Sequence, residues 1–121
     1  MIGSSFTSVM VVAEAQTAIA MGSGDLPVLA TPAMIALMEN AAMNCVAPRL
    51  PKGATTVGGL INVTHLKPAS IGAVVQAKAI VTSVEGKKIE FEVSAHCGDV
   101  LLGKGTHVRY IVDKQKFMFK I

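Results

Sequence analysis

The stretch Thr31-Pro-Ala-Met-Ile-Ala-Leu-Met-Glu39-Asn-Ala-Ala-Met-Asn-Cys-Val-Ala47 decides how the rest of the chain must fold. Threonine is a good helix N-cap, and proline suits the first helical position, where its missing N–H costs nothing. The spacing predicts a helix from Pro32 to Ala47, stopped by Pro48 and Pro51. It is apolar nearly all round, interrupted only by Glu39, Asn40 and Asn44. A helix of that kind belongs inside a core, not on a surface. A carboxylate within it is costly unless something pairs with it or uses it, which makes Glu39 a candidate functional residue.

Around this helix the sequence reads as strands. Phe6 to Ala15 is β-branched and apolar, a first strand, and Met21 to Val28 is a loop by its Gly and Pro content. Further strands are expected at Thr55 to Leu66, Ala73 to Val84, Lys87 to His96 and Val100 to Val112. Glu85-Gly86 forms a hairpin turn and Cys97-Gly98-Asp99 the next. Lys88, Glu90, Glu92 and Ser94 alternate with Ile89, Phe91, Val93 and Ala95, so one face of that strand is wet and the other packed. A buried helix followed by an antiparallel meander gives an α+β class, a sheet wrapped around one long central helix, in a single domain spanning residues 1–121.

Composition narrows the function. The chain is 51% hydrophobic and 16% charged, with a mean hydropathy of +0.53. A domain of 121 residues with that balance is expected to hide apolar surface between subunits. The net charge is +3, but the lysines are scattered and aromatics are nearly absent among them, which argues against nucleic-acid binding and remains compatible with a small polyphosphate. Cys45 and Cys97 do not make a disulfide framework and are expected to be free thiols in a reducing, cytoplasmic setting. The N-terminal stretch lacks a basic region and is interrupted by Glu14 and Gln16, unlike a signal peptide. No run approaches the roughly 20 apolar residues of a membrane span, so no membrane partner is expected.

His65 closes the strand Gly58-Gly-Leu-Ile-Asn-Val-Thr-His65. A hydroxyl, a carboxylate and an imidazole together support acyl-transfer chemistry. Each also has a plainer role: Thr31 as a cap, Glu39 as a structural partner of a lysine or of Asn44, His65 as a satisfied strand-end histidine. His96, Cys97 and His107 lack metal-ligand spacing, and no metal is expected. Gly103 and Gly105 are not a dinucleotide fingerprint; they are expected to let the last strand approach the central helix.

The motif Thr-Pro-x-Met-x-x-Leu-Met-Glu at Thr31 to Glu39 resembles the helix start of hotdog-fold thioesterases of the fluoroacetyl-CoA-thioesterase-like branch. Gly58 with Val63-Thr64-His65 resembles its catalytic strand. Val84-Glu85-Gly86, Ser94-Ala95-His96 and Gly103-x-Gly-Thr-His-x-Arg109 resemble its last strands, so the likeness runs from about Ala30 to Val112. The resemblance implies a hotdog fold and an acyl-CoA thioesterase. Its catalytic set would be Thr31, Glu39 and His65, with Gly58, Gly59 and Arg109 lining or supporting the substrate site. It implies a homodimer or dimer of dimers, with CoA as part of the substrate and no separate cofactor. Two alternatives stand beside it: a hotdog hydratase or dehydratase, and a non-catalytic acyl-thioester binder. In the branch, a longer segment before the threonine supplies aromatic lid residues, whereas Ala18 to Ala30 here holds none.

Overall fold

A computed structural model describes all 121 residues. Five antiparallel strands form one sheet: β1 (Ser5–Val11), β2 (Ala54–His65), β3 (Val74–Glu85), β4 (Lys88–Cys97) and β5 (Val100–Asp113), in the spatial order β1-β3-β4-β5-β2. The long helix lies between β1 and β2 in sequence. It follows a short helix α1 (Ala18–Met21) and is itself α2 (Thr31–Val46), leading into a 3-10 turn at Ala47–Arg49. A last short helix, α3 (Lys114–Phe119), ends the chain. No helix is long and apolar enough to cross a membrane.

The wrapped arrangement follows from side-chain size. Met34, Met38, Ala41, Ala42 and Val46 of α2 are fully buried against Val75, Ala77, Ala79 and Val81 of β3 and Ile89, Phe91 and Ala95 of β4. The alanines on both surfaces allow close approach, so a single helix fills the concave face of the sheet. The expected alternation in β4 holds: Ile89, Phe91, Val93 and Ala95 are buried, while Lys88, Glu90, Glu92 and Ser94 are not. Ser8 of β1 donates a 2.8 Å hydrogen bond to Asn40 Oδ1, and Asn44 donates to the Asn40 carbonyl, which accounts for both asparagines on the helix.

Several boundaries depart from expectation. β1 stops at Val11, and Glu14–Gln16 forms a 3-10 turn whose Gln16 side chain accepts from the N–H of Ala13, just before the turn. Met21 belongs to α1, which ends on Gly22 in the left-handed conformation rather than opening a loop. Thr31 is not the cap of α2: Ala30 holds that position without a side-chain bond, and Thr31 is the first helical residue. A built Cβ on Gly103 would meet Met34 Cε at 2.6 Å, so this glycine does admit the helix. Gly105 instead makes room for the backbone of Asn62 and Val63 on β2.

Candidate active site

The hydroxyl freed from capping has another partner. Thr31 Oγ1 and His65 Nδ1 share a 2.8 Å hydrogen bond, joining the start of α2 to the end of β2. The strand geometry places His65 there because β2 pairs with β5 up to the His65–Gly103 register and then turns away. The second ring nitrogen, Nε2, is buried and has no hydrogen-bond partner within the chain. A cavity of about 330 Å³ opens over this pair, lined by Ala18, Ser23, Val28, Leu29, Thr31, His65, Leu66, Lys67 and Pro68. It thus combines an apolar wall, a hydroxyl–imidazole pair and one lysine.

Glu39 lies two turns further along α2 and meets a different set of groups. Its Oε2 is 3.7 Å from Arg109 Nη1 and would be only 2.7 Å from a Cβ on Gly58. Glycine at that position is therefore what lets the carboxylate rest on the strand. Its side chain is 41% exposed, so it is less enclosed than its apolar neighbours imply, and it is paired. Gly59 is covered by the Tyr110 ring, and the ladder between β2 and β5 slips between Gly58 and Leu60. Gly59 is the extra residue of this bulge, left unpaired in the ladder.

Arg109 is 7% exposed and fully engaged. Its Nε donates to Thr56 Oγ1 at 2.8 Å and its Nη2 to the Thr56 carbonyl at 2.9 Å, while Nη1 donates to His107 Nε2 at 3.3 Å. Burial pulls the Arg109 pKa below its usual value, and the Glu39 charge opposes that shift. His107 is 1% exposed and stacks on Phe91 with ring centroids 5.8 Å apart. Burial is the main cause that lowers its pKa; its bond to Leu60 and the Glu39 charge act the other way, and Arg109 adds to the lowering.

Within the chain, then, the six expected residues form two groups. Thr31 and His65 make one, and Glu39, Gly58 and Arg109, with Gly59 beside them, make the other. Thr31 and Glu39 are both inside an unbroken helix, roughly 12 Å apart along its axis at 1.5 Å per residue. Two partners of Arg109 were missed as site residues: Thr56 was not singled out from sequence, and His107 was weighed only as a metal ligand and as part of the last-strand motif. The signal was the two-residue period: His107 shares a sheet face with Gly103 and Arg109, and Thr56 shares one with Gly58.

Known proteins share this sequence pattern and architecture. Residues 12–115 match the family model described as fluoroacetyl-CoA-specific thioesterase, FlK. The fluoroacetyl-CoA thioesterase of Streptantibioticus cattleyicolor is 39% identical over 94 residues, covering 78% of this chain and 68% of that protein. A solved structure of the fluoroacetyl-CoA thioesterase FlK superposes with a TM-score of 0.93 at 35% identity, over 99% of this chain and 93% of the other. A hot-dog-like protein from Thermanaerovibrio acidaminovorans shares the fold, with a TM-score of 0.88 at 23% identity over 98% of this chain and 88% of its own. The sheet wrapped on one helix is thus the hotdog fold.

Proposed function

Since this chain belongs to the fluoroacetyl-CoA-specific thioesterase family and is an acyl-CoA thioester hydrolase, we propose that Thr31, Glu39 and His65 carry the hydrolysis. The single observation that carries this assignment is Glu39 seated on Gly58 and faced by Arg109, a carboxylate that the packing keeps accessible. A thioester is an activated acyl group, so the enzyme must orient an oxygen nucleophile, stabilise the oxyanion and release the thiol. Glu39 either activates water or attacks the carbonyl carbon itself to form an anhydride that water then opens. By both routes the C–S bond breaks, the thiolate of CoA takes up a proton, and the acyl group leaves as the free acid. The backbone N–H groups at the Gly58–Gly59 bulge suit the oxyanion. The Thr31–His65 pair suits proton delivery or alignment of the carbonyl, and the partnerless Nε2 of His65 supports that role.

The working unit in this proposal is a homodimer or a dimer of dimers, with Thr31 and His65 of one copy completing the Glu39 site of the other. Two observations support it. The two groups are separate within a subunit, and β2 pairs only with β5, leaving a long outer edge with Leu60 and Ile61 exposed. Bare apolar edges are normally covered. The substrate is a short or medium acyl-CoA, with Val28 and Leu29 against the acyl group and Lys67 toward the CoA phosphates. Hydrolysis of an already activated ester needs no metal or organic cofactor, so turnover is expected to survive chelators. A cytoplasmic enzyme fits the free thiols Cys45 and Cys97.

The test is Glu39→Gln, which keeps shape and removes charge. Thiol release from a good acyl-CoA should fall by about 10²–10⁴, the contribution of a positioned base. Near-normal turnover by folded Glu39→Gln protein would overturn the assignment.

A further inference from the structure

Arg109 faces Glu39 across 3.7 Å, a gap longer than the roughly 2.7–2.9 Å of a charge-assisted hydrogen bond. Arginine beside a carboxylate ordinarily closes to a two-pronged pair. Here three other contacts hold it back. Thr56 takes two of its nitrogens, through the hydroxyl and the carbonyl, and His107 takes part of the third.

The state of His107 follows from its partners. A carbonyl oxygen only accepts, so the 2.7 Å contact between His107 Nδ1 and the Leu60 carbonyl requires a proton on Nδ1. A guanidinium only donates, so Nε2 must be bare to receive Arg109 Nη1. Both demands are met by one neutral tautomer, and burial beside a cation disfavours the imidazolium. Leu60 itself sits at the end of the bulge that begins at Gly58. The backbone that shapes the carboxylate's seat therefore also sets the histidine's proton.

We propose that His107, as the Nδ1–H tautomer, and Thr56 are positioning residues that hold Arg109 near Glu39 without letting it close onto the carboxylate. The inference rests on the proposed role of Glu39. The guanidinium supplies a fixed positive charge, while the carboxylate keeps lone pairs for water or the acyl carbon. Without the acceptor at Nε2, Nη1 is released toward Oε2, and a carboxylate engaged by two N–H groups is a poorer base and nucleophile. The defect belongs to the chemical step, because neither His107 nor Thr56 lines the cavity over Thr31 and His65.

Two measurements test this. In the unaltered protein, nitrogen-15 NMR of the imidazoles should give His107 a protonated Nδ1 and a bare Nε2 at neutral pH. An Nε2–H tautomer or an imidazolium there overturns the proposal, and this measurement needs no variant to fold. In kinetics, His107→Leu should lower kcat by about tenfold to a hundredfold, the scale of a misplaced catalytic group, with KM within about twofold. His107→Gln, which offers an oxygen near Nε2, should recover most of that loss. In an Arg109→Met background, His107→Leu should add less than about a twofold further loss, because the residue it acts through is gone. Thr56→Val, which keeps the carbonyl and removes the hydroxyl, should show the same dependence on Arg109 with a smaller effect. Independent, multiplying losses in the double variants, or a loss confined to KM, overturn the inference. If Glu39→Gln is itself fully active, the underlying assignment fails instead, whatever the tautomer.

Discussion

At the scale of single residues, the contact between Glu39 and Gly58 separates activity from stability. A Cβ at position 58 would press on Oε2, the far end of a flexible side chain, at 2.7 Å, while His107 Cε1 and Arg109 Nη1 lie at an easier 3.4 and 3.6 Å. Gly58→Ala should therefore fold with a nearly unchanged melting temperature and displace the carboxylate. Turnover is expected to drop by about tenfold to a hundredfold, as for a 1 Å misplacement; a calorimetric scan beside a thiol-release assay checks both halves. His107 gives a pH dependence of stability. Its folded pKa lies below the ordinary value of 6.5, so between the two values the unfolded chain binds more protons than the native one. The sign is then fixed: its contribution is complete above about pH 6.5 and is lost as pH falls toward the folded value. Urea unfolding at pH 7.5 and pH 5 should show a larger acid loss in the natural protein than in His107→Gln. Thr31, Glu39 and His65 were legible as types because hydroxyl, carboxylate and imidazole stand out in apolar surroundings. Thr56 was not, since threonine is ordinary in a strand, and His107 was weighed only as a metal ligand, because a histidine's role shows only when its partners across the ladder are known.

At the scale of elements, the α2 helix was readable from its two flanks of proline and its apolar content, and it lies within one residue of the expected span. Its N-terminus was misassigned for a physical reason. Capping preference describes a threonine with no better partner, and His65, distant in sequence, is a better partner. Local rules also missed α3 and the early end of β1, where Val12 leaves the strand yet stays buried. The segment before α2 bears on selectivity. It folds as α1 and a turn tied by the Thr17–Leu29 and Val28–Ser70 bridges, and it places only Ala18, Ser23, Val28 and Leu29 along the cavity, with no aromatic ring. A pocket walled by small aliphatic groups separates acyl chains by about 1–3 kcal/mol per methylene. Acetyl-, fluoroacetyl- and butyryl-CoA should accordingly all be hydrolysed. Their kcat/KM values should fall well within a thousandfold of one another, about 4 kcal/mol, and a steady-state comparison of the three decides it.

At the scale of the whole molecule, the wrapped helix and the β3-β4-β5 meander follow from pattern and length, and helix rise already sets Thr31 and Glu39 roughly 12 Å apart. The sheet order does not follow, because β2 pairs with β5 at the far edge rather than continuing the meander beside β3. Sequence brings Thr31 and Glu39 close in number, and only a continuous helix keeps them apart. If each site draws on two copies, two inactive variants should repair each other. Mixing Glu39→Gln with His65→Ala subunits leaves heterodimers with one intact site and one doubly altered site. Random exchange should restore about a quarter of natural activity, since half the dimers are mixed and half their sites are whole. Activity that stays at the level of the separate variants after verified subunit exchange would show that each copy works alone.

The seat of Glu39 on Gly58 also has a consequence for inheritance. Because the carboxylate occupies the volume that any other side chain at position 58 needs, substitutions at the two positions are sterically coupled. A larger residue at 58 displaces the carboxylate while Glu39 is present, and a shorter acid at 39 leaves the space over Gly58 empty. Each single step is opposed by the residue left unchanged, so descendants reach another arrangement only by changing both together. A lineage built on this contact is held to its glutamate by the missing side chain of a glycine.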